Sequence, residues 1–510
     1  MGAAWPTPHY YPQEHAVTAH GLLVAGTTSD AGKSLLVAGM CRYFSRQGVR
    51  VAPFKSQNMS NNSMVTPDGV EIGRAQWLQA LAARAVPEAA MNPVLLKPGT
   101  DRTSHVVLMG RPHGRLGTGE WATGRRELAA AAYEAWDDLA SRYEVVIAEG
   151  AGSPAEVNLR AGDYVNFGLA AEKSLPVVVV GDIDRGGVLA AMYGTWGIVD
   201  AQDRARITGW IVNKFRGDEA LLRPGLDILH ERTGVPVLGV VPWLADAWLD
   251  GEDALTIGAF ERSGAGADKA CQDRLTVAVV ALSRISNSTD VDAFAAEPGV
   301  DVTVTRDPDV LARADLLVLP GSRSTLADLS GLRADGLGEV VAQRARAGRP
   351  VLGICGGYQM LAERVIDQEC VEAPSPVNVE GLGLLPVQVV FTAQKHLGTP
   401  RGVWRGAEVG GYEIHHGTPV FTAPVDEGDG EAFLDGVRRG GVFGTHWHGA
   451  FENDAFRRAF LAEVSSRVGK GWVASSSLGF ASRRERMLDA VADALTEHLV
   501  PGSLERVLGL

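Results

Sequence analysis

A glycine-rich segment near the start of the chain has the residue types needed to bind phosphate. It reads Gly-Thr-Thr-Ser-Asp-Ala-Gly-Lys-Ser over residues 26–34, between an apolar run and a helical pattern. Backbone N–H groups at a helix start would bind phosphate oxygens, while the lysine would reach the β- and γ-phosphates and the last serine would bind Mg²⁺. The usual loop has glycine at the position of Thr27, whereas this chain has it at Gly26. The predicted phosphate-binding residues, with a plain glycine-rich turn as the alternative, are Thr27, Thr28, Ser29, Asp30, Ala31, Gly32, Lys33 and Ser34.

Polar residues that follow other apolar runs of the first half would complete a nucleotide site. Glu149 and Asp182 each come at the end of such a run and are predicted, with Ser34, to hold Mg²⁺; Asp184 is a further acid in the same loop as Asp182. Lys55 would stabilise charge on a transferring phosphoryl group, and Asn213 would contact the adenine edge. The alternatives without a functional role are a solvated acid for Asp182 or Asp184, a surface lysine for Lys55 and a turn-capping asparagine for Asn213.

A cysteine bracketed by glycines in the second half has the setting of a catalytic nucleophile. Cys355 stands in Gly-Ile-Cys-Gly-Gly, after an apolar run and before a helical pattern at 358–365. Small neighbours permit the sharp turn of a nucleophile elbow, and the following helix start favours the thiolate. His446 and His448 are candidates for the base, and backbone N–H groups at 320–322 for an oxyanion site. A buried structural cysteine and a plain turn are the alternatives.

These candidate residues lie next to short apolar runs separated by helical patterns, which is typical of parallel sheets covered on both faces. The pattern predicts an α/β fold with a first domain at 1–257, a linker at 258–274 and a second domain at 275–510. A helix at 482–499 is expected to pack on the second domain. The predicted strands are 22–25, 145–148, 176–180, 207–212, 235–241, 275–282, 315–319, 350–354 and 441–445.

Composition narrows the class of protein. The chain has 510 residues, of which 45% are hydrophobic and 21% charged, as in globular proteins of two to four domains. Its net charge of −13 argues against a nucleic-acid partner. Its cysteines form no close pair, and no apolar run is long enough to span a membrane, so we expect a soluble cytoplasmic protein without disulfides. The cysteines are Cys41, Cys271, Cys355 and Cys370.

Distinctive segments are spread over almost the whole chain: GTTSDAGKS at 26–34, FKSQNMSNNS at 54–63, EIGRAQ at 71–76, MNPVLLKP at 91–98, EGAGSPAEVNL at 149–159, GDIDRGG at 181–187, NKFRGD at 213–218, LPGSRST at 319–325, GICGGYQM at 353–360 and GTHWHG at 444–449. In combination they resemble the cobyric acid synthase family, glutamine-hydrolysing enzymes of cobalamin biosynthesis. The phosphate loop is similar to that of dethiobiotin synthetase-like ATPases. The resemblance implies a P-loop parallel-sheet domain followed by a class I-like glutamine amidotransferase domain.

The resemblance also implies the reaction: ATP-dependent amidation of the b, d, e and g carboxylates of adenosylcobyrinic acid a,c-diamide, with Mg²⁺ and with glutamine as the nitrogen donor. The product would be adenosylcobyric acid. Because a carboxylate is a poor acyl donor, ATP would first convert it to an acyl phosphate. The corrinoid is expected to contact the family-specific loop at Asn58, Asn61 and Asn62.

By the same resemblance Cys355 matches the family nucleophile and His448 the catalytic histidine, while His446 occupies a position that is usually tyrosine. Related triad amidotransferases have a glutamate two residues after the histidine, where this chain has Ala450. Glu452, Glu413 or no residue at all would then orient the base.

Two other readings stay open at this point. A sibling such as cobyrinic acid a,c-diamide synthase shares the phosphate loop and the cysteine domain but lacks the FKSQNMSNNS segment. A partitioning-type switch ATPase shares the phosphate loop, but this chain has no basic patch or amphipathic tail. The sequence leaves open the order of the amidations, the ammonia route, the coupling of glutamine hydrolysis to the other substrates, and whether the chain forms a homo-oligomer.

Overall fold

The structure is a computed structural model that describes residues 19–100, 103–117, 121–245, 247, 273–424, 430–474 and 478–510. The linker predicted at 258–274 lies outside them apart from its last two residues. No helix in the described part of the chain is long and apolar enough to cross a membrane. The strands are β1 His20–Gly26, β2 Val51–Phe54, β3 Gln57–Met59, β4 Ser63–Val65, β5 Glu71–Gly73, β6 Val94–Thr100, β7 Thr103–Leu108, β8 Arg111–Gly117, β9 Val145–Glu149, β10 Val177–Asp182, β11 Ile207–Phe215, β12 Val237–Pro242, β13 Leu275–Val280, β14 Val300–Thr305, β15 Leu316–Leu319, β16 Val351–Ile354, β17 Arg364–Asp367, β18 Val377–Glu380, β19 Val387–Gly398, β20 Arg401–Trp404, β21 Ala407–Gly410, β22 Glu413–Phe421, β23 Glu431–Phe433, β24 Gly436–Arg439 and β25 Val442–Thr445. The α-helices are α1 Lys33–Arg46, α2 Arg74–Ala82, α3 Trp121–Arg142, α4 Phe167–Glu172, α5 Val188–Ile198, α6 Ala201–Arg204, α7 Glu219–Thr233, α8 Asp292–Ala295, α9 Pro308–Arg313, α10 Thr325–Ala334, α11 Leu337–Arg346, α12 Gly356–Leu361, α13 Asp454–Arg467, α14 Phe480–His498 and α15 Ser503–Leu508, with 3₁₀-helices at Ala89–Met91, Val157–Gly162, Ser288–Val291 and Ala450–Glu452.

The first half is built on a parallel six-stranded sheet in the order β12-β11-β10-β1-β9-β2. Its central strands are apolar and fully buried, as expected for strands covered by helices on both faces. Parallel strands place their carboxyl ends at one edge, so the phosphate loop after β1 lies beside Glu149 of β9 and Asp182 of β10. The predicted α/β class and the strands of this half are confirmed.

The second half has its own sheet, in the order β14-β13-β15-β16-β25-β24-β23. Its strands are parallel from β14 to β25, and β24 and β23 add an antiparallel edge. The loops after β13, β15, β16 and β25 meet at one edge, which places 320–322, Cys355 and the two histidines together. The helix predicted at 358–365 is shorter, because the chain leaves α12 at Leu361 to enter β17, which pairs with β18 and β19.

Smaller sheets were not predicted from the sequence. One, in the order β3-β6-β7-β8, follows directly after Lys55 and extends the first half; another, β18-β17-β19-β22, flanks the second. Their strands carry exposed and charged residues among the apolar ones, so they lack the continuous apolar runs of the central strands. These additions matter because they bring residues of one half to the edge of the other.

The C-terminal helix α14 packs on the first half, so the expectation that it packs on the second is wrong. Leu488, Val491 and Leu495 belong to the apolar core of the first half. A Cβ atom at Gly39 of α1 would lie 2.6 Å from Val491, so this glycine permits the close approach of α1 and α14. Arg42 of α1 also pairs with Glu485 at 2.8 Å. Amphipathicity predicts that a helix packs but not on which partner.

Candidate active site

The phosphate loop connects β1 to α1 through Gly32, whose φ is 88°. Lys33 Nζ donates to the carbonyl oxygens of Thr28 and Ser29 at 3.0 Å. A Cβ atom at Gly26 would lie 3.0 Å from the stem of Lys33, so glycine at this position leaves room for the lysine. The shifted glycine of this loop is therefore compatible with a phosphate-binding role for Lys33.

Glu149 is the centre of a buried polar group at the foot of the loop. Its side chain is fully buried. Oε1 accepts from Ser34 Oγ at 2.6 Å and from Lys55 Nζ at 2.9 Å, and Oε2 accepts from Gln79 Nε2 at 2.6 Å. A serine hydroxyl beside a carboxylate is a donor set that suits Mg²⁺. Gln79 was not predicted, because nothing near it in sequence marks it as part of a nucleotide site.

The structure places Asp182 and Asn213 where they support the loop. Asp182 Oδ2 accepts from Lys214 Nζ at 2.7 Å, and Lys214 also donates to a loop carbonyl at 2.6 Å. Asn213 Nδ2 donates to the carbonyl of Ala31 at 2.9 Å. Asp184 is 3.6 Å from Arg216. The metal role of Asp182 and the adenine contact of Asn213 remain predictions. In the structure Asn213 bonds to the loop directly, and Asp182 is linked to it through Lys214.

An open cavity of about 390 Å³ adjoins the phosphate loop. Of the three predicted corrinoid-binding asparagines, Asn58 lines this cavity and donates to Gln76 Oε1 at 2.9 Å. Met59 and Leu159 also line it, with 47% and 44% of their surfaces exposed. The cavity is therefore lined by the positively charged side chains of Lys33 and Lys55 beside the phosphate loop and by apolar side chains at its rim.

Cys355 stands on a strained turn between β16 and α12. Its φ is 49°, in the left-handed region, and its N–H donates to the carbonyl of Thr445 at 2.8 Å. A Cβ atom at Gly357 would lie 2.0 Å from the carbonyl oxygen of Leu319, so glycine is required there. The thiol is buried, with Sγ 3.9 Å from the carbonyl oxygen of Ile414. This geometry is that of a nucleophile elbow.

His448 joins Cys355 to a buried carboxylate. Its Nδ1 is 2.7 Å from Asp290 Oδ2, and both side chains are almost fully buried. Burial opposes the charged imidazolium, but the charges of Asp290 and Cys355 and hydrogen bonds to both outweigh it and raise the pKa of His448 to about 10. The three residues thus have the arrangement of the nucleophile, base and orienting acid of a catalytic triad.

Neither glutamate considered from the sequence orients this base. Glu452 accepts from Arg74 and Arg484 at 2.6 and 2.7 Å, and Glu413 is 2.9 Å from His396. Sequence reasoning missed Asp290. The one signal that points to it is its place in the loop after β13. This loop lies at the edge of the second sheet where the strands end, and the other candidate residues lie at the same edge.

A second histidine–carboxylate pair lies beside the triad. His446 Nδ1 is 2.8 Å from Asp435 Oδ2, and its ring stacks on that of His415 with centroids 4.1 Å apart. The two candidate histidines are thus held in different surroundings, and His448 is the one coupled to Cys355.

A cavity of about 60 Å³ opens beside Cys355 and lies at the boundary of the two halves. Asn61 and Lys97 of the first half line it. The other lining residues include Ser322, Arg323, Thr325, Gln359 and Glu372.

Two hydrogen bonds join the halves close to Asp290. Asn62 Oδ1 accepts from the N–H of Ser288 at 3.1 Å, and Asn287 Oδ1 accepts from the N–H of Ser63 at 2.9 Å. Asn61 and Asn62 therefore lie at the boundary with the cysteine domain.

Comparisons with known families match each half to a separate domain type. Residues 22–256 match the family described as the CobQ/CobB/MinD/ParA nucleotide binding domain. Residues 276–456 match the family described as the CobB/CobQ-like glutamine amidotransferase domain. The first half is thus similar to nucleotide-binding domains, and the half with Cys355 is similar to glutamine amidotransferase domains.

Curated relatives align with almost the whole of this chain. The cobyric acid synthase of Cutibacterium acnes is 58% identical over 491 residues, which cover 96% of this chain and 99% of that protein. The cobyric acid synthase of Mycolicibacterium vanbaalenii is 55% identical over 490 residues, which cover 96% of each. With a phosphate loop in one half, a cysteine triad in the other and this similarity along both, the chain belongs to the cobyric acid synthase family.

Proposed function

We propose that this chain uses ATP to amidate the b, d, e and g carboxylates of adenosylcobyrinic acid a,c-diamide with ammonia from glutamine, which yields adenosylcobyric acid. The observation that carries the proposal is one segment shared by two cavities. Gln57–Met59 lines the cavity of the phosphate loop, and Asn61 lines that of Cys355. Ammonia released in the cavity of Cys355 would therefore have only a short way to the cavity of the phosphate loop, where it is consumed. The family relatives support this reaction over the sibling a,c-diamide synthase.

Glutamine hydrolysis follows from the triad. His448 carries the proton taken from the thiol as an imidazolium, and the thiolate of Cys355 attacks the carboxamide carbon. The C–N bond breaks, the imidazolium returns a proton to the leaving nitrogen, and water then hydrolyses the glutamyl thioester to glutamate. The N–H groups of Ser322 and Gly356 are the proposed oxyanion donors, since a Cβ atom at Gly356 would lie 2.7 Å from Ser322 N.

Amide synthesis takes place at the phosphate loop. Lys33 and the loop N–H groups would bind the ATP phosphates. A carboxylate oxygen of the substrate bonds to the γ-phosphorus, and ADP leaves. Ammonia then attacks the acyl phosphate carbon, and phosphate leaves. Ser34 and Glu149 would hold Mg²⁺, which neutralises phosphate charge when bound. Lys55, positioned by Glu149 at 2.9 Å, would stabilise charge on the transferred group.

The ammonia route is proposed to pass through the wall between the cavities. Several polar atoms buried in the described residues near this wall have no hydrogen-bond partner there: Ser56 Oγ, Asn61 Oδ1, Gln76 Nε2 and Gln79 Oε1. Ammonia both donates and accepts hydrogen bonds, so such atoms suit its passage. Asn58, Met59 and Leu159 are proposed to contact the corrinoid at the other end.

The free thiols indicate the cellular compartment in which the protein works. Cys41, Cys355 and Cys370 are free cysteines. A thiol nucleophile needs a reducing compartment, which supports the cytoplasm as the site of the reaction.

Mass spectrometry of the corrinoid tests the proposal. Wild-type enzyme with ATP, Mg²⁺ and glutamine should convert adenosylcobyrinic acid a,c-diamide stepwise to the product with the b, d, e and g amides. Cys355→Ala should lose this conversion with glutamine and keep it with ammonium, because only ammonia release needs the thiol. Cys370→Ala is the matched control and should keep both activities. An unchanged corrinoid under conditions where the protein still hydrolyses ATP would contradict the proposal.

A further inference from the structure

Three side chains on the paired strands β19 and β22 are arranged to bind a cation. His396 lies opposite His415, and Glu413 lies opposite Gly398. One ligand atom from each of His396, Glu413 and His415 lies within 4.8 Å of the other two. His396 Nε2 is 2.9 Å from Glu413 Oε2. None of the three takes part in the reaction steps proposed above.

His415 has the features of a metal ligand. Its side chain is buried, with 9% exposed. Nδ1 bonds to the carbonyl oxygen of Gly417 at 2.8 Å, which leaves the lone pair on Nε2, and Nε2 has no hydrogen-bond partner among the described residues. A backbone carbonyl commonly holds the far nitrogen of a metal-binding histidine in this way.

We propose that His396, Glu413 and His415 bind a divalent transition-metal ion of the Zn²⁺ class. Two imidazoles and a carboxylate, with water as the fourth ligand, are a common zinc set. Ligand atoms ~2.1 Å from one zinc ion lie ~3.4 Å apart, so the atoms here need to move by roughly 1 Å. Mg²⁺ prefers oxygen ligands, so it is expected at Ser34 and Glu149 and not at a site with two imidazoles. The His396 side chain is 56% exposed, so an ion can enter from solvent.

The ion would join β19 to β22 beside the catalytic triad. Ile414 lies between two of the ligands, and its carbonyl oxygen is 3.9 Å from Cys355 Sγ. Tyr412, next to Glu413, exchanges two backbone hydrogen bonds of 2.9 Å with His448. A bound ion therefore stabilises the strand that contacts both the nucleophile and the base.

Titration of the full-length protein with Co²⁺, in excess Mg²⁺, tests the site. Wild-type protein should bind one Co²⁺ per chain with the visible d–d absorption of a tetrahedral centre, and Zn²⁺ should displace it. His396→Ala and Glu413→Gln should each weaken binding at least about tenfold, because each removes a ligand. His113→Ala is the matched control: His113 is also exposed and lies 3.2 Å from a carboxylate, that of Glu127, but belongs to no three-ligand group among the described residues. This variant should bind like the wild type.

Three outcomes would overturn the proposal: no visible absorption in the wild type, unchanged binding in both ligand variants, or sulfur-to-cobalt charge transfer that disappears in Cys355→Ala. The last would assign the ion to the catalytic thiol. Thermal melting gives a second readout, since an ion bound to the native state raises Tm. Zn²⁺ should raise Tm in the wild type and not in His396→Ala; equal shifts in both would also overturn the site.

Discussion

Two histidines separated by one residue each pair with a carboxylate, and their partners give them different roles. His448 pairs with Asp290 and has its pKa raised in part by the charge of Cys355. His446 pairs with Asp435 and packs against aromatic rings. A carboxylate behind the base holds the imidazole in the tautomer that can accept the thiol proton. Because both histidines have a carboxylate partner, the contact with Cys355 is what distinguishes His448 from His446.

Replacing Asp290 with asparagine should impair glutamine hydrolysis alone. The amide removes the charge that supports the imidazolium, so kcat for glutamate release should fall by roughly 10²–10⁴-fold. Amidation with ammonium should stay close to wild type, because the phosphate-loop cavity is unchanged. Asp435→Asn is the matched control and should cost far less. Equal losses in the two variants would argue against Asp290 as the orienting acid.

The pH dependence of glutamine hydrolysis follows from the raised pKa of His448. A raised pKa means that the imidazolium is present at neutral pH and is lost only as pH rises through about 10. The alkaline limb of kcat/KM for glutamine should therefore lie near pH 10. In Asp290→Asn this limb should move to lower pH, because the charge that raises the pKa is gone. Identical alkaline limbs would contradict the assignment.

At the scale of elements, the short helix Ser288–Val291 connects the halves to the triad. It carries Asp290 and is preceded by Asn287, whose φ of 49° is in the left-handed region. Asn287 and Ser288 both bond to the segment 62–63 of the first half. A shift of that segment on substrate binding would therefore act on the acid that orients His448.

Two variants of Asn287 test this connection. Asn287→Gly keeps the left-handed backbone but removes the acceptor for the N–H of Ser63, whereas Asn287→Asp keeps both. Loss of one hydrogen bond of about 1 kcal/mol should reduce the stimulation of glutamate release by corrinoid and ATP by roughly fivefold in Asn287→Gly. Asn287→Asp should stay near wild type. Equal stimulation in the wild type and Asn287→Gly would rule out this connection.

The C-terminal helix α14 is the other element with a role beyond its position in sequence. Leu488 is fully buried in the core of the first half. Leu488→Ala should lower the free energy of unfolding by about 2–5 kcal/mol in urea titrations. Leu221→Ala, at a position 83% exposed, is the matched control and should change it by less than about 0.5 kcal/mol. A small effect at Leu488 would mean that α14 does not pack on α1 in solution.

At the scale of the whole molecule, buried charge joins the two halves. Glu71 of the first half is buried and pairs with Lys97 of the same half and with Lys395 of the second, at 2.5 Å for the latter. Burial alone would raise the pKa of Glu71, but the two lysines outweigh it and hold the pKa well below its usual range. Because the pKa of Glu71 is lower in the folded than in the unfolded chain, its negative charge stabilises the fold at pH values above the unfolded-state pKa. This stabilisation is lost as pH falls through the acidic range.

Removing the charge of Glu71 should destabilise the joined halves. Glu71→Gln leaves the buried ammonium group of Lys97 and the partly buried one of Lys395 without their anion, and should cost about 3–5 kcal/mol of unfolding free energy at neutral pH. The cost should shrink as pH falls, because the wild type then loses the same charge. Glu219→Gln, in an exposed pair with Arg223, is the control and should cost no more than about 1 kcal/mol. A pH-independent difference between wild type and Glu71→Gln would contradict this account.

The candidate motif of each half could be predicted from the amino-acid sequence. The phosphate loop before α1 and the glycine-bracketed Cys355 are motifs whose residues are neighbours in the chain, so backbone geometry alone places their groups. The α/β class also followed, because apolar runs between helical patterns have few other solutions.

The distant residues that complete these motifs could be identified only from the folded chain. Asp290 reaches His448 across 158 positions, Gln79 reaches Glu149 across 70, and Arg42 reaches Glu485 across 443. Such pairs depend on how two sheets and a terminal helix pack, and packing responds to shape and burial summed over many residues. For this reason the nucleophile could be named from a short segment, whereas its orienting acid required the whole fold.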